Sequence, residues 1–167
     1  MLNRRSWAVV AVAVMSAGSP GPASAQESPD IRAIWVQAGL GVSNANLGGL
    51  AAASVATARH LVSARASFIA SDIEGGEEES FDVALLYGRQ LGRGGSFRPS
   101  ASAGVAYVKC EGCDEGRNAS SVGLALSLEA ALWPTKLAGI GIHGFGNLNS
   151  IGSFAGLALT VHFGRLR

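Results

Sequence analysis

The chain has 167 residues, of which 13 are basic and 12 are acidic, so that only 15% are charged. A soluble domain usually carries about 25% charged residues, and a nucleic-acid-binding protein carries a clustered basic surface. The composition argues against both classes. After the N-terminal segment, no apolar run reaches the roughly 20 residues of a transmembrane helix, so any membrane crossing must use strands.

Residues 1–25 have the pattern of a secretory signal peptide. Asn3-Arg4-Arg5 is the basic region, Trp7 to Met15 is the apolar region, and Ala23-Ser24-Ala25 matches the A-x-A cleavage site. The apolar region is too short to span a membrane as a helix. We therefore expect export, with residues 26–167 forming one domain in an oxidising compartment.

Eight segments with alternating side chains follow, and a period of two predicts β-strands. The second segment is the least regular because it is rich in alanine. The charged stretches at 71–80 and 109–119 are predicted to be loops, since they interrupt the alternation. In chain order the predicted strands cover residues 32–42, 50–59, 61–70, 81–91, 97–108, 120–132, 137–147 and 154–163.

The sixth segment shows the alternation most clearly. One face is an aliphatic row from Val122 to Leu132, and the other face is Ser, Gly and Ala with the single charge of Glu129. The row has about the length of a transmembrane strand, roughly 9–11 residues. An even number of strands can close without an edge and keeps both termini on one side. We therefore predict an all-β fold, an eight-stranded antiparallel up-and-down transmembrane β-barrel, with the loops holding Glu77 and Cys113 outside.

Aromatic residues near the predicted strand ends are expected to form the two interfacial girdles of such a barrel. Only Trp35 and Phe145 are assigned to the inward face. The girdle candidates are Phe68, Phe81, Tyr107 and Phe154 at the loop ends, and Tyr87, Phe97, Trp133 and Phe163 at the turn ends.

The predicted lumen is lined mostly by Gly, Ala and Ser, and it also receives several ionisable side chains. These are Arg65, Arg98, Glu129, His143 and His162. An eight-stranded barrel is just wide enough to be filled by side chains. Counting from the turns makes Arg98 and Glu129 diagonal neighbours. We therefore predict a polar network of Arg65, Arg98 and Glu129 that plugs the lumen, with Arg98–Glu129 as its ion pair.

Two further clusters lie in the predicted loops. Cys110-Glu111-Gly112-Cys113 has no second cysteine pair or nearby histidine to complete a metal site, so a loop disulfide between Cys110 and Cys113 is the better interpretation. The acidic run from Asp72 to Glu79 could bind Ca²⁺ or Mg²⁺ or bridge cations to lipopolysaccharide phosphates. A solvated, self-repelling loop is the favoured interpretation.

The signal peptide, the strand rhythm and the final strand GLALTVHF resemble those of small eight-stranded outer-membrane barrels of the OmpA transmembrane-domain and OmpX type. The resemblance implies a monomer in the bacterial outer membrane that contacts lipid and lipopolysaccharide. It also implies insertion by the barrel insertion machinery, which commonly reads a C-terminal aromatic residue in such families. Here four residues follow Phe163.

The expected role is structural or surface contact, with the external loops as interaction surface and with no catalytic residues, metal or cofactor. A lipid A deacylase, another small barrel, carries a His-x-Ser motif, but His143-Gly144-Phe145 lacks the serine and no acidic residue follows Glu129. A soluble lipocalin-like barrel binding a small ligand inside is the other alternative. Such a barrel would carry its charges on the outer face, which here is aliphatic.

Overall fold

The computed structural model describes residues 31–166 apart from residues 45, 59, 72–77, 93–94 and 115–116. The predicted signal peptide, residues 1–25, therefore lies outside the described residues. In the described part, no helix is long and apolar enough to cross a membrane. The eight strands are β1 (Ala33–Ser43), β2 (Asn46–Ala56), β3 (Leu61–Ser71), β4 (Glu78–Gln90), β5 (Phe97–Asp114), β6 (Arg117–Leu132), β7 (Ala138–Leu148) and β8 (Phe154–Leu166).

The strands form one closed sheet. Each strand pairs antiparallel with the next, and β1 also pairs with β8, from Ala33 opposite Leu166 to Ser43 opposite Gly156. Closure gives every strand a partner on both sides, and β6 extends beyond its neighbour, since its pairing with β7 begins at Leu124 opposite Leu148. The predicted all-β, eight-stranded antiparallel up-and-down β-barrel is confirmed.

Several strand boundaries differ from the sequence-based prediction, most of all those of β2 and of the β5–β6 hairpin, and β4 begins at Glu78 within the predicted loop 71–80. β2 begins at Asn46, because Asn44 adopts a left-handed conformation with φ of 47° and turns the chain within two residues. Asparagine tolerates this conformation better than most residues. The predicted loop at 109–119 is mostly strand, since the β5–β6 pairing continues through Cys110 opposite Ala119. Its charges made this hairpin look like a loop in the sequence.

The outer face of every strand presents large apolar side chains. On β6 the row runs from Val122, which is 71% exposed, to Leu132, which is 48% exposed. At about 3.4 Å per residue and a tilt of about 45°, this row is roughly 24 Å tall, close to the apolar band of about 25 Å in outer-membrane barrels. Such a surface suits lipid and not water.

Whether an aromatic side chain faces outward or inward depends on its position in the alternation, and the girdle prediction did not apply this to every residue. Trp133 and Phe154 are buried, with exposures of 4% and 7%, so their assignment to the girdles was wrong. Both lie on the inward parity, two residues beyond the inward-facing Ala131 and two residues before the inward-facing Gly156. Six aromatic residues do face outward. Phe68, Phe81 and Tyr107 lie toward the loop ends of their strands, and Tyr87, Phe97 and Phe163 lie toward the turn ends.

The two rims of the barrel differ in charge. The three connections β2–β3, β4–β5 and β6–β7 contain no acidic residue, and basic residues occur in each of them. The β3–β4 and β5–β6 hairpins at the other rim contain most of the acidic residues of the chain, among them the exposed Glu79 and Glu111. We call these the basic rim and the acidic rim.

Inward-facing glycines let neighbouring strands approach closely. A Cβ atom on Gly104 of β5 would lie 1.9 Å from the Leu85 carbonyl oxygen of β4, and one on Gly41 of β1 would lie 1.8 Å from the Leu157 carbonyl oxygen of β8. Backbone atoms cannot move aside as a flexible side chain can. The tight curvature of this small barrel therefore depends on glycine at these positions.

Candidate functional site in the barrel lumen

A buried ion pair lies at the centre of the lumen. Arg65 of β3 and Asp82 of β4 have their side chains fully buried, with Arg65 Nη2 at 2.7 Å from Asp82 Oδ2. Ser67, directly opposite Asp82 in the β3–β4 register, donates its hydroxyl to Oδ1. Asn147 Nδ2 donates to Oδ2 at 3.1 Å. The carboxylate is thus compensated by one cation and two neutral donors, as a buried charge requires.

Arg65 also reaches the opposite wall of the barrel. Its Nη1 donates to the Leu126 carbonyl oxygen at 2.8 Å and to Ser127 Oγ at 3.0 Å, both on β6. Its guanidinium carbon lies 5.9 Å from the centre of the Phe145 ring on β7. The side chain therefore crosses the lumen and connects four strands.

A second set of polar side chains adjoins this pair. Glu129 of β6 lies directly opposite His143 of β7, with Oε2 at 3.5 Å from His143 Nδ1. Its Oε1 lies 4.0 Å from Nδ1 of His162 on β8. Gln37 Nε2 lies 2.8 Å from His143 Nδ1, and His143 Nε2 lies 3.1 Å from Ser127 Oγ. Ser127 thus links the two sets into one network.

Ser127, His143 and Glu129 are the residue types of a nucleophile, a base and a carboxylate. A general base would have to accept the serine proton at Nε2. Ser127 Oγ, however, already accepts a hydrogen bond from Arg65 Nη1 at 3.0 Å, and its side chain is buried. The adjoining cavity has a volume of about 10 Å³, which is room for about one water molecule. The arrangement fits a structural network better than an acyl-transfer site.

Apolar side chains close the lumen on both sides of the network. At the basic rim, the Trp35 and Trp133 rings meet edge to face with centroids 6.4 Å apart. Toward the acidic rim, Phe145 and Phe154 pack with centroids 6.4 Å apart. Leu61 completes the first cluster and Leu50 and Ile69 the second. Polar and apolar layers together fill the interior.

The structure places the predicted lumen residues differently from the predicted network. Arg65 and Glu129 both line the lumen, but Glu129 faces His143 and His162. Arg98 instead donates from Nε to the Gly95 carbonyl oxygen at 3.3 Å, in an exposed contact. The reason is its position as the second residue of β5, opposite Ala131, at the level of the tryptophan cluster and outside the polar layer.

Asp82 and Gln37 are among the network residues that the sequence analysis did not single out, together with Ser67, Ser127 and Asn147. Asp82 and Gln37 lie on the inward parity of their strands, and Asp82 alternates with the outward Phe81 and Val83. The alternation therefore held the signal that a carboxylate enters the lumen beside Arg65. The alternation could not predict that Arg65 pairs with Asp82, because that contact depends on the register between β3 and β4.

Cys110 lies on the inward parity of the extended β5–β6 hairpin. It is disulfide-bonded, and Ser80 Oγ lies 3.1 Å from its Sγ atom. The chain contains one other cysteine, Cys113, whose side chain lies outside the described ones. The pairing of Cys110 with Cys113 stays a prediction. No three described His, Cys, Asp or Glu side chains are gathered as a metal-binding group.

Comparisons with known proteins give matches to solved structures. No family model matches the chain, and no curated protein matches it at a significant level. The N-terminal β-barrel domain of Pseudomonas aeruginosa OprF matches with a TM-score of 0.61 and 14% identity, covering 80% of this chain and 97% of that one. Neisserial surface protein A matches with a TM-score of 0.59 and 9% identity, covering 78% and 95%.

A third similar structure is Ail, the attachment invasion locus protein of Yersinia pestis. Its TM-score is 0.53 at 10% identity, and the match covers 80% of this chain and 95% of that one. Identities this low show the fold and do not transfer a role. The chain thus has the fold of these small eight-stranded barrels, and the predicted resemblance is confirmed at the level of the fold.

Proposed function

We propose that the protein is a monomeric barrel of the bacterial outer membrane with a structural or surface-contact role, a closed lumen, and the hairpins of the acidic rim as its interaction surface. The observation that carries the proposal is a continuous apolar outer wall around a filled interior. The wall suits lipid on all sides. The side chains that the structure describes in the lumen fill the interior.

The filled lumen favours this role over that of an open pore. The Arg65 side chain crosses the interior from Asp82 to β6. Trp35 with Trp133 and Phe145 with Phe154 lie on its two sides. An eight-stranded barrel has little room to spare once such side chains point inward. Function is therefore assigned to the surfaces of the barrel.

The acidic rim is the part of the barrel best suited to contact outside the membrane. β5 and β6 extend well past the apolar wall, and the exposed Lys109 and Glu111 form an ion pair on this extension. Carboxylates there could meet lipopolysaccharide phosphates through bridging divalent cations. We infer outer-membrane lipid and lipopolysaccharide as partners in the membrane, and the barrel insertion machinery as the partner of β8 during assembly.

The two alternative functions fit the geometry less well. A soluble ligand-binding barrel needs a polar outer face and an open interior. This barrel has an apolar outer face and an interior filled by side chains. A lipid A-modifying enzyme needs a nucleophile that substrate can reach. Ser127 is 5% exposed and accepts a hydrogen bond from Arg65.

Fractionation and electrophysiology test the proposal. The mature protein should sediment with the outer membrane, should need detergent for extraction, and should migrate differently on a gel before and after boiling. In planar bilayers it should show no steady large conductance. A protein released by osmotic shock that runs identically boiled and unboiled would overturn the membrane assignment, and a steady large conductance would overturn the closed lumen.

A further inference from the structure

An apolar groove crosses the outer face of β1, β2 and β3. Its floor includes Ala51 and Ala53 of β2 and Ala64 of β3, where most of the outer wall carries Leu, Val, Ile or Phe. Ala53 and Ala64 are directly paired in the β2–β3 register. Val161 and Phe163 of β8 border the groove, which has a volume of about 530 Å³.

Two basic side chains lie at the foot of this groove, on the basic rim. Arg165 faces outward on β8, two residues beyond Phe163 on the same face, which is about 7 Å along the strand. Lys136 in the β6–β7 connection lies beside it, because Gly164 N donates to the Leu137 carbonyl oxygen at 3.0 Å and Leu166 N to the Lys136 carbonyl oxygen at 3.2 Å.

These two cations are exposed, and neither forms an ion pair within the described part of the chain. The three connections of this rim contain no acidic residue. Like charges held side by side are unfavourable, and an anion between them would relieve the repulsion. Leu137 and Ile34, which is opposite Arg165 in the β1–β8 register, add exposed apolar surface at the same place.

We propose that the groove and the two cations form a binding site for an anionic phospholipid, with the phosphate at Lys136 and Arg165 and an acyl chain in the groove. Basic side chains at a membrane surface attract anionic lipid, and arginine suits a phosphate in particular. A zwitterionic headgroup would bring a cation to basic residues whose neighbouring connections contain no acidic residue, so the site favours a net negative lipid. The proposal rests on membrane insertion as proposed above.

The test uses the full mature chain in nanodiscs made from equal parts of phosphatidylcholine and phosphatidylglycerol. A gel shift on boiling first shows that the barrel is folded in the bilayer, independently of lipid preference. The protein is then transferred to octyl glucoside, and retained lipid is counted by native mass spectrometry. We expect wild type to retain phosphatidylglycerol over phosphatidylcholine.

Matched variants assign the preference to the site. Lys136→Gln with Arg165→Gln should reduce the preference by roughly fivefold for each basic side chain removed. Arg89→Gln is the control, because Arg89 is exposed on β4 at the same rim but on the opposite side of the eight-strand ring. It should retain the wild-type preference. Equal retention of the two lipids by wild type, or a preference that survives the double substitution, would overturn the proposal.

A groove variant separates a lipid from a free phosphate. Ala53→Leu fills the floor and leaves both cations in place, so it should lower phosphatidylglycerol retention. Inorganic phosphate added to the wild type should displace little of the lipid. Displacement by phosphate together with no effect of Ala53→Leu would identify a site for free anions and overturn the lipid assignment.

Discussion

Arg65 and Asp82 form a fully buried ion pair, with Nη2 at 2.7 Å from Oδ2, on neighbouring strands that place Ser67 and not Arg65 directly opposite Asp82. The diagonal arrangement leaves the Arg65 guanidinium free to extend across the lumen to β6. One residue therefore neutralises a carboxylate and joins two walls of the barrel.

Removing one partner of this pair should be costly. Asp82→Asn leaves the Arg65 charge buried without a counter-ion, and such losses typically destabilise by about 3–5 kcal/mol. Urea unfolding of the refolded barrel in detergent measures the effect. The double variant Arg65→Met with Asp82→Asn should cost less than the sum of the single variants, and additive costs would show that the pair is not coupled.

Glu129 should be coupled to His143 and not to Arg98. The carboxylate lies 3.5 Å from His143 Nδ1, whereas Arg98 contacts the Gly95 carbonyl oxygen. A double-mutant cycle of Glu129→Gln with His143→Asn should give a coupling energy of about 0.5–3 kcal/mol. The parallel cycle of Glu129→Gln with Arg98→Gln should give a value near zero, and the reverse ranking would contradict the network.

Gly104 should not tolerate a methyl group. Gly104→Ala places Cβ against the Leu85 carbonyl oxygen, and overpacking of this kind costs about 1–3 kcal/mol. Gly144→Ala on β7 is the control, because the nearest atom to its Cβ would be Leu157 Cδ2 at an ordinary 3.5 Å. Unfolding in detergent should separate the two variants, and equal stabilities would refute the close-approach argument.

The acidic rim should face the cell exterior. A specific protease site inserted between Gly75 and Gly76 should be cut in intact cells, because signal removal leaves the N-terminus periplasmic and three strands precede this connection. A site inserted between Pro134 and Thr135, in the β6–β7 connection, should be cut only after permeabilisation. The opposite pattern would invert the topology.

Cys110 and Cys113 should be bonded to each other. An alkylating reagent should label both thiols only after reduction, and a protease digest should yield one peptide holding both. A loop this short contributes about 2 kcal/mol in the chain-entropy account, so Cys113→Ser should lower stability by no more than this. A disulfide between two chains on a non-reducing gel would disprove the pairing.

Side-chain alternation accounts for the part of the fold that the sequence reveals. The alternating side chains of β3 and β6 predicted the barrel and also the inward position of Glu129. This was possible because an alternation with a period of two depends only on local backbone geometry. The ends of β2 were missed, since alanine suits both faces. The predicted Arg98–Glu129 pair does not form, because backbone adjacency does not decide side-chain direction at a strand end, where Arg98 turns toward the rim.

The pairing of Ala33 with Leu166 joins residues that are 133 positions apart in the chain (166 minus 33). The seam between β1 and β8 has as many paired residues as the β1–β2 hairpin, so the finished ring does not distinguish the strands that begin and end the chain from the others. The position of the first strand therefore cannot be recognised from the pairing of the strands in the closed sheet. While the barrel assembles, however, the ring stays open until its last strand pairs, and both flanks of the gap expose unpaired backbone until that moment.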